Sequence, residues 1–187
     1  MHARRLLLGT LVAAVGAQMA CVAHANRGYT HYRNEAYGVA IDVPKGWTVS
    51  SHADGSMLTL HLKRPEPELH AEECTFFVTK SLATLRQSQA EINQDYRGDQ
   101  NHISVRVLLM HIPDATASSE TKIVEQQGRA TVFIESTDGT GEAAFRSYEI
   151  SFGVPGRSFD GSCTARPMHY AQSPIYEHIL RSLSPIE

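Results

Sequence analysis

The sequence predicts an α+β fold: a meandering, largely antiparallel sheet with one middle helix and one C-terminal helix. Three observations predict it. From Val39 onward, short runs alternate apolar and polar residues with period two, the signature of strands with one buried face. At Leu82 the apolar spacing changes to that of a helix. At Ser173 a cap-and-proline signal opens a second helical stripe.

Residues 1–25 read as a signal peptide. Arg4 and Arg5 form a basic start, Leu6 to Gly16 is an apolar run too short to span a bilayer, and Ala23-His-Ala25 is a small-x-small cleavage site. Cys21 after Ala20 raises an alternative, a lipid anchor at Cys21, but Gln18 stands where a lipoprotein signal usually has leucine. Residues 26–187 are then a single globular domain, large enough to bury a substantial core. No later stretch is apolar enough for a transmembrane span, so the expected location is periplasmic or secreted.

Asn26 to Arg33 is polar with two tyrosines, suited to an edge strand or a loose start. Val39, Ile41 and Val43 then form one face of a strand. Pro44 cannot donate to a ladder and ends it, and Pro44-Lys-Gly46 suits a turn. Trp47, the single tryptophan, re-enters beside Val49 and is the expected core anchor. Ala53-Asp-Gly-Ser56 is a turn. Leu58, Leu60 and Leu62 share one face of the next strand. Cys74, Phe76 and Val78 share one face of the strand after it.

Leu82, Leu85, Gln89, Ile92 and Tyr96 fall at helical spacing, predicting a helix over about residues 83–97, with Ser81 or Thr84 as cap and Thr84/Gln87 as a capping box. Ile103 to Val107 favours a strand, and 113–120 reads as a loop. Lys122 to Gln126 and Ala130 to Ser136 are further strands, and Thr137-Asp-Gly-Thr-Gly141 is a hairpin-type turn. Ala144 to Phe152 alternates again. Val154-Pro-Gly-Arg157 turns the chain, and Ser158 to Ala165 returns it. Finally Tyr176, Ile179, Leu180 and Leu183 make one helical stripe, which Pro185 stops.

Two cysteines survive cleavage, Cys74 and Cys163. Export places them in an oxidising compartment, which predicts a disulfide between them. There are 17 basic and 20 acidic residues. Without the two arginines of the signal the balance is 15 against 20, a formal −5. With no basic stripe, a nucleic-acid partner is not expected.

Tyr37-Gly-Val-Ala-Ile-Asp-Val-Pro-Lys-Gly-Trp47, the middle helix, the late hairpins and a closing helix ending Ile179-Leu-Arg-Ser-Leu183 resemble the PsbP/Mog-like family. The resemblance covers most of residues 26–187 in order of elements. It implies a single α/β/α sandwich around a largely antiparallel sheet. The family includes a photosystem subunit, Ran-binding proteins, exported bacterial proteins and secretion-system chaperones. Its members share no catalytic motif, so the resemblance carries over no site residue.

The residues themselves show no nucleophile elbow, no zinc-protease helix motif and no phosphate-binding glycine loop. Asp54-Gly-Ser, Asp138-Gly-Thr and Asp160-Gly-Ser read as turns by composition. Eight histidines survive cleavage, at 31, 52, 61, 70, 102, 111, 169 and 178, and are dispersed. His70-x-x-x-Cys74 is the one local ligand-like spacing, and folding could join His61 to His70. The expectation is therefore a non-enzymatic exported module that binds a protein partner, with no catalytic, cofactor or metal residues assigned. The alternative is a metal-binding protein or metal-dependent enzyme built from the dispersed histidines.

Overall fold

The computed structural model describes residues 28–65, 73–98, 118–138, 145–165 and 173–186. The expected strand at 103–107, most of the expected turn at 137–141 and the first part of the loop at 113–120 lie outside them.

Among the described residues, ten strands form two sheets. The larger contains β3 (Thr48–Asp54), β4 (Met57–Lys63), β5 (Glu73–Lys80), β6 (Ser118–Gln126), β7 (Arg129–Asp138), β8 (Phe145–Val154) and β9 (Arg157–Ala165), in the spatial order β3-β4-β5-β9-β8-β7-β6. Each neighbouring pair is antiparallel. The smaller sheet contains β1 (Tyr29–Asn34), β2 (Val39–Pro44) and the two-residue β10 (Ser184–Pro185), with β2 in the middle. Among the described residues there are two helices, α1 (Gln89–Gly98) and α2 (Ser173–Ser182).

The helices sit on opposite faces of the large sheet. Ile92 and Tyr96 of α1 lie against Gly153, on the odd-numbered face of β8. Tyr176 of α2 lies against Tyr148 on the even-numbered face, ring centroids 6.2 Å apart. The even face is apolar: Leu58, Leu60, Leu62, Cys74, Phe76, Val78, Tyr148, Ile150, Phe152 and Phe159 pack with Tyr176, Ile179, Leu180 and Leu183 into one core. Val39, Ile41 and Val43 of the small sheet close it. The result is the expected α/β/α plan with a second small sheet beside α2.

Several expectations change in three dimensions. Val39–Pro44 and Thr48–Asp54 are both strands, but they do not form a hairpin. Pro44-Lys-Gly46 is a corner that carries the chain from one sheet to the other, closed by Trp47 N–H donating to the Pro44 carbonyl at 3.0 Å, with Gly46 at φ 87°. Trp47 is consequently half-buried at the margin of the core. It meets Tyr176 edge-on at 6.3 Å, with the Arg64 guanidinium 5.9 Å from its ring. Among the described residues, the largest fully buried side chain is Tyr176.

The middle helix begins later than its spacing suggests. Ser88 is the cap: its Oγ accepts from the Glu91 N–H, and the Glu91 carboxylate accepts from the Ser88 N–H at 2.7 Å. Those hydrogen bonds hold the Glu91 carboxyl below the usual carboxylate range. Residues 82–86 form turns, and Leu82 and Leu85 are 87% and 59% exposed. β6 begins at Ser118, so the end of the expected loop is strand. Asp160-Gly-Ser162 lies in the middle of β9, with Gly161 there for space and not for a turn. Pro185, expected only to stop α2, also pairs with Val39 as part of β10.

Candidate functional site

The turns that follow β1, β3, β5, β6 and β8 gather at one end of the sandwich, together with the C-terminal tail. Backbone hydrogen bonds knit them: Lys80 N–H to the Ser56 carbonyl at 2.7 Å, Ser81 N–H to Gly156 at 2.8 Å, and Ile186 N–H to Gly38 at 2.9 Å. Side chains add more. Tyr37 Oη donates to the Gly55 carbonyl at 3.1 Å. Asn93, 8% exposed, donates to the Gly128 carbonyl at 2.9 Å and accepts from the Ala130 N–H at 3.0 Å. Its amide thereby meets a donor and an acceptor beside the β6–β7 turn and docks α1 there. Gln89 joins it, donating to Asn93 Oδ1 and the Gly153 carbonyl.

Arg157 is the centre of this end. Its Nη1 donates to the carbonyls of Gly38 at 2.7 Å and Tyr37 at 3.2 Å. Gly38 adopts φ 60°, and a Cβ there would lie 1.8 Å from that nitrogen, so only glycine admits the contact. Two clefts adjoin the guanidinium. One, about 340 Å³, is lined by Glu35, Tyr37, Gly38, Lys80, Arg157 and Ile186. The other, about 430 Å³, is lined by Gln89, Gln127, Arg129, Pro155, Arg157 and Pro185. The Lys80 ammonium lies 4.8 Å from the Tyr37 ring centroid. Leu85 reaches to Gly156 at the same end. Such a surface can bind; its described side chains are cations, amides, the Glu35 carboxylate, the Tyr37 phenol and apolar groups.

A second cluster lies on the small sheet. Asp42 Oδ1 meets His31 Nδ1 at 3.0 Å and Oδ2 meets His178 Nε2 at 3.1 Å. The Asp42 N–H donates to Ser182 Oγ at 2.9 Å, so α2 completes the edge of β2 beyond the short β10. Burial raises the Asp42 carboxyl, but hydrogen bonds from both imidazoles, and their charges, outweigh it and hold the group below the usual carboxylate range. Tyr29 packs on His178, ring centroids 4.1 Å apart. Burial, and then the Asp42 charge, push its phenol up. The carboxylate thus orients two imidazoles and ties β1, β2 and α2 together.

The odd face of the large sheet is polar beyond α1. Ser147 and Glu149 are buried and 3.2 Å apart, and Ser151 Oγ lies 2.7 Å from Asp160 Oδ1. Burial first, then the Asp160 charge, push the Tyr96 phenol up to about 12, against a hydrogen bond from Ser151. That phenol stays protonated at neutral pH.

Cys74 and Cys163 face each other across β5 and β9, fully buried, and form a disulfide with a Cα–Cα distance of 4.1 Å. Of the histidines, folding brings His31 and His178 together on Asp42. His61 lies 3.2 Å from Thr75 Oγ1, and His52 is exposed on β3. His70, His102, His111 and His169 lie outside the described residues, so the proposed meeting of His61 with His70 does too. Among the described residues, no group of three or more His, Cys, Asp or Glu side chains is placed to hold a metal ion. No described helix is long and apolar enough to cross a membrane. Sequence reasoning missed Arg157, Lys80 and Asp42 as centres, because their partners sit on other elements: Tyr37 and Gly38 are 120 and 119 positions from Arg157, and His31 and His178 are 11 and 136 from Asp42.

Known proteins bear on the fold. No family model matches the sequence, and no curated protein matches it either. Among solved structures, the chain is similar to cyanobacterial PsbP (CyanoP) from Synechocystis, with a TM-score of 0.54 and 12% identity over 95% of this chain and 99% of that one. It is also similar to a Bacteroides thetaiotaomicron protein, with a TM-score of 0.55 and 9% identity, covering 86% of this chain and about half (49%) of that one. A Pseudomonas aeruginosa protein of unknown function aligns with a TM-score of 0.45, 16% identity, and coverage of 85% and 98%. The architecture is therefore PsbP-like.

Proposed function

We propose that this PsbP-like chain is an exported, non-enzymatic accessory module that binds a protein partner in the periplasm or cell envelope. The observation that carries the reading is the knitted end of the sandwich. Leu82 and Leu85 stand exposed there, beside two adjoining clefts held open around Arg157. A folded chain that exposes large apolar groups next to a preformed, polar-lined concavity has the anatomy of a contact surface. The buried disulfide supports export, since such bonds persist in oxidising compartments. The fold shared with cyanobacterial PsbP is compatible with an accessory role and does not itself assign one.

The test is in-cell cross-linking of the full-length chain, followed by recovery from the envelope fraction, with Leu82→Glu, Leu85→Glu as the comparison. A stoichiometric cross-linked partner, lost in the double variant while the melting temperature stays constant, is the expected result. The same preparation, weighed by intact mass, should lack residues 1–25. A protein that stays unprocessed in the cytoplasm with two free thiols overturns the assignment to the envelope.

A further inference from the structure

The chain carries two helix starts, at Thr84 and Ser88, and α1 uses the second. Ser88 and Glu91 form the working cap: the Ser88 N–H donates to the Glu91 carboxylate at 2.7 Å, and Ser88 Oγ accepts from the Glu91 N–H at 3.3 Å. Thr84 and Gln87 repeat that spacing with the same classes of side chain. Between the two starts, Leu85, Arg86 and Gln87 are good helix formers. They nevertheless form turns. Leu85 N–H donates to the Leu82 carbonyl at 3.4 Å, and Gln87 N–H to the Thr84 carbonyl at 3.2 Å.

The unused start is in phase with the helix. Leu85 precedes Ile92 by seven positions, which at 3.6 residues per turn brings it within about 20° of the Ile92 direction. Ile92 lies against Gly153 of the sheet. A helix begun at Thr84 therefore turns Leu85, now 59% exposed, onto the sheet-facing stripe. Leu85 already touches the turn it would cover: its Cδ1 lies 3.1 Å from where a Cβ on Gly156 would be. The Ser81 N–H pins the approaching chain to the Gly156 carbonyl at 2.8 Å.

Two features hold the observed, shorter helix. One is the Ser88 cap. The other is Gln87 Nε2 donating to Asp95 Oδ2 at 2.8 Å, a bond across eight positions. Eight residues of continuous helix rise about 12 Å, so the bond breaks if the helix runs back past Gln87. Gln87 thus serves one form or the other: Asp95 in the short helix, the Thr84 N–H in the long one. Lengthening exchanges one cap for another of similar strength and adds a turn of backbone hydrogen bonds to a helix already nucleated. We propose that residues 84–88 are a latent first turn of α1, and that moving the cap from Ser88 to Thr84 withdraws Leu85 from the partner-binding surface. This rests on the accessory-module reading above and adds its regulation. A partner that grips Leu82 and Leu85 together selects the short helix, and its release lets the helix lengthen.

Cα chemical shifts of residues 85–87, measured in the full chain, read the helix boundary. Ser88→Ala removes the working cap and should raise the ratio of long to short helix about fivefold, moving those shifts toward helical values. Asp95→Ala, which releases Gln87, should move them the same way, and adding Thr84→Ala to Ser88→Ala should return them. Melting temperature gives a second reading: Thr84→Ala should be neutral in the wild type and lower the melting temperature in the Ser88→Ala background. Unchanged shifts in Ser88→Ala, or a Thr84→Ala neutral in both backgrounds, overturn the latent turn. In-cell cross-linking reads the consequence. Ser88→Ala should capture less partner than the wild type, and the Thr84→Ala, Ser88→Ala double variant should recover it. Shifts that move while capture stays constant overturn the withdrawal of Leu85. A wild type that captures no partner, or a partner retained by Leu82→Glu, Leu85→Glu, refutes the accessory reading and the regulation with it, while the shifts still decide whether the cap moves.

Discussion

Phe76 on β5 occupies the space that a side chain on Gly161 of β9 would fill. The two are register partners, and a Cβ on Gly161 would lie 2.4 Å from Phe76 Cδ1 and 3.2 Å from Ile150 Cγ2. Phe76 is fully buried, so it has nowhere to retreat. Gly161→Ala should destabilise the protein by about 1–3 kcal/mol, the usual cost of overpacking a tight core. In urea denaturation, Phe76→Leu should cost less in the Gly161→Ala background than alone. Strictly additive losses would show that the two side chains do not compete for this space.

The disulfide should matter as much. Cys74 and Cys163 are 89 positions apart, and the loop they close contains β6, β7, β8 and α1. Loop-closure entropy assigns the bond about 4–5 kcal/mol at that length. Reduction, or Cys74→Ser with Cys163→Ser, should shift the urea midpoint downward by a corresponding amount. An unchanged midpoint after thiol titration has confirmed reduction would refute it.

Asp42 supplies a pH dependence with a definite sign. Its folded carboxyl is held below the usual range, so its contribution is fully present above the ordinary carboxylate value of about 4. That contribution is lost as pH falls through the lower folded value. Asp42→Asn should therefore be less stable than the wild type at pH 5–6, and the difference should close in the acid range, about pH 2–4. Denaturation curves of the two proteins across this range measure the gap. A gap that widens on acidification contradicts the arrangement of His31 and His178 about the carboxylate.

The start of α1 separates two candidate caps. Ser88→Ala removes the hydroxyl that accepts from the Glu91 N–H and should cost about 1 kcal/mol. Thr84→Ala, four residues earlier, touches no helical N–H and should be nearly neutral. Hydrogen exchange of the α1 amides, with thermal melting, reads both. The reverse ranking would move the helix start back to the earlier cap.

Residues 81–91 show why local pattern alone placed that boundary too early. Two sequence windows, Thr84/Gln87 and Ser88/Glu91, both carry a capping signature, and Leu82 and Leu85 continue the apolar spacing backward. What decides is Gly153 and the β6–β7 turn: only from Gln89 onward do side chains meet the sheet, through Ile92, Asn93 and Tyr96. The corner at Pro44–Gly46 is a similar case. Its turn chemistry was legible, but a turn does not reveal whether its flanking strands pair with each other or with distant partners.

The strands, their inward faces, the closing helix and the cysteine pair were determined by sequence, because period-two and helical spacing record which side chains leave water. Tertiary structure decided what the sequence could not. It split the strands between two sheets, brought His31 and His178 onto Asp42, and carried Arg157 to the carbonyls of Tyr37 and Gly38. Those outcomes depend on register between segments separated by tens of residues. Register is selected by the whole core closing at once, and no local window contains it.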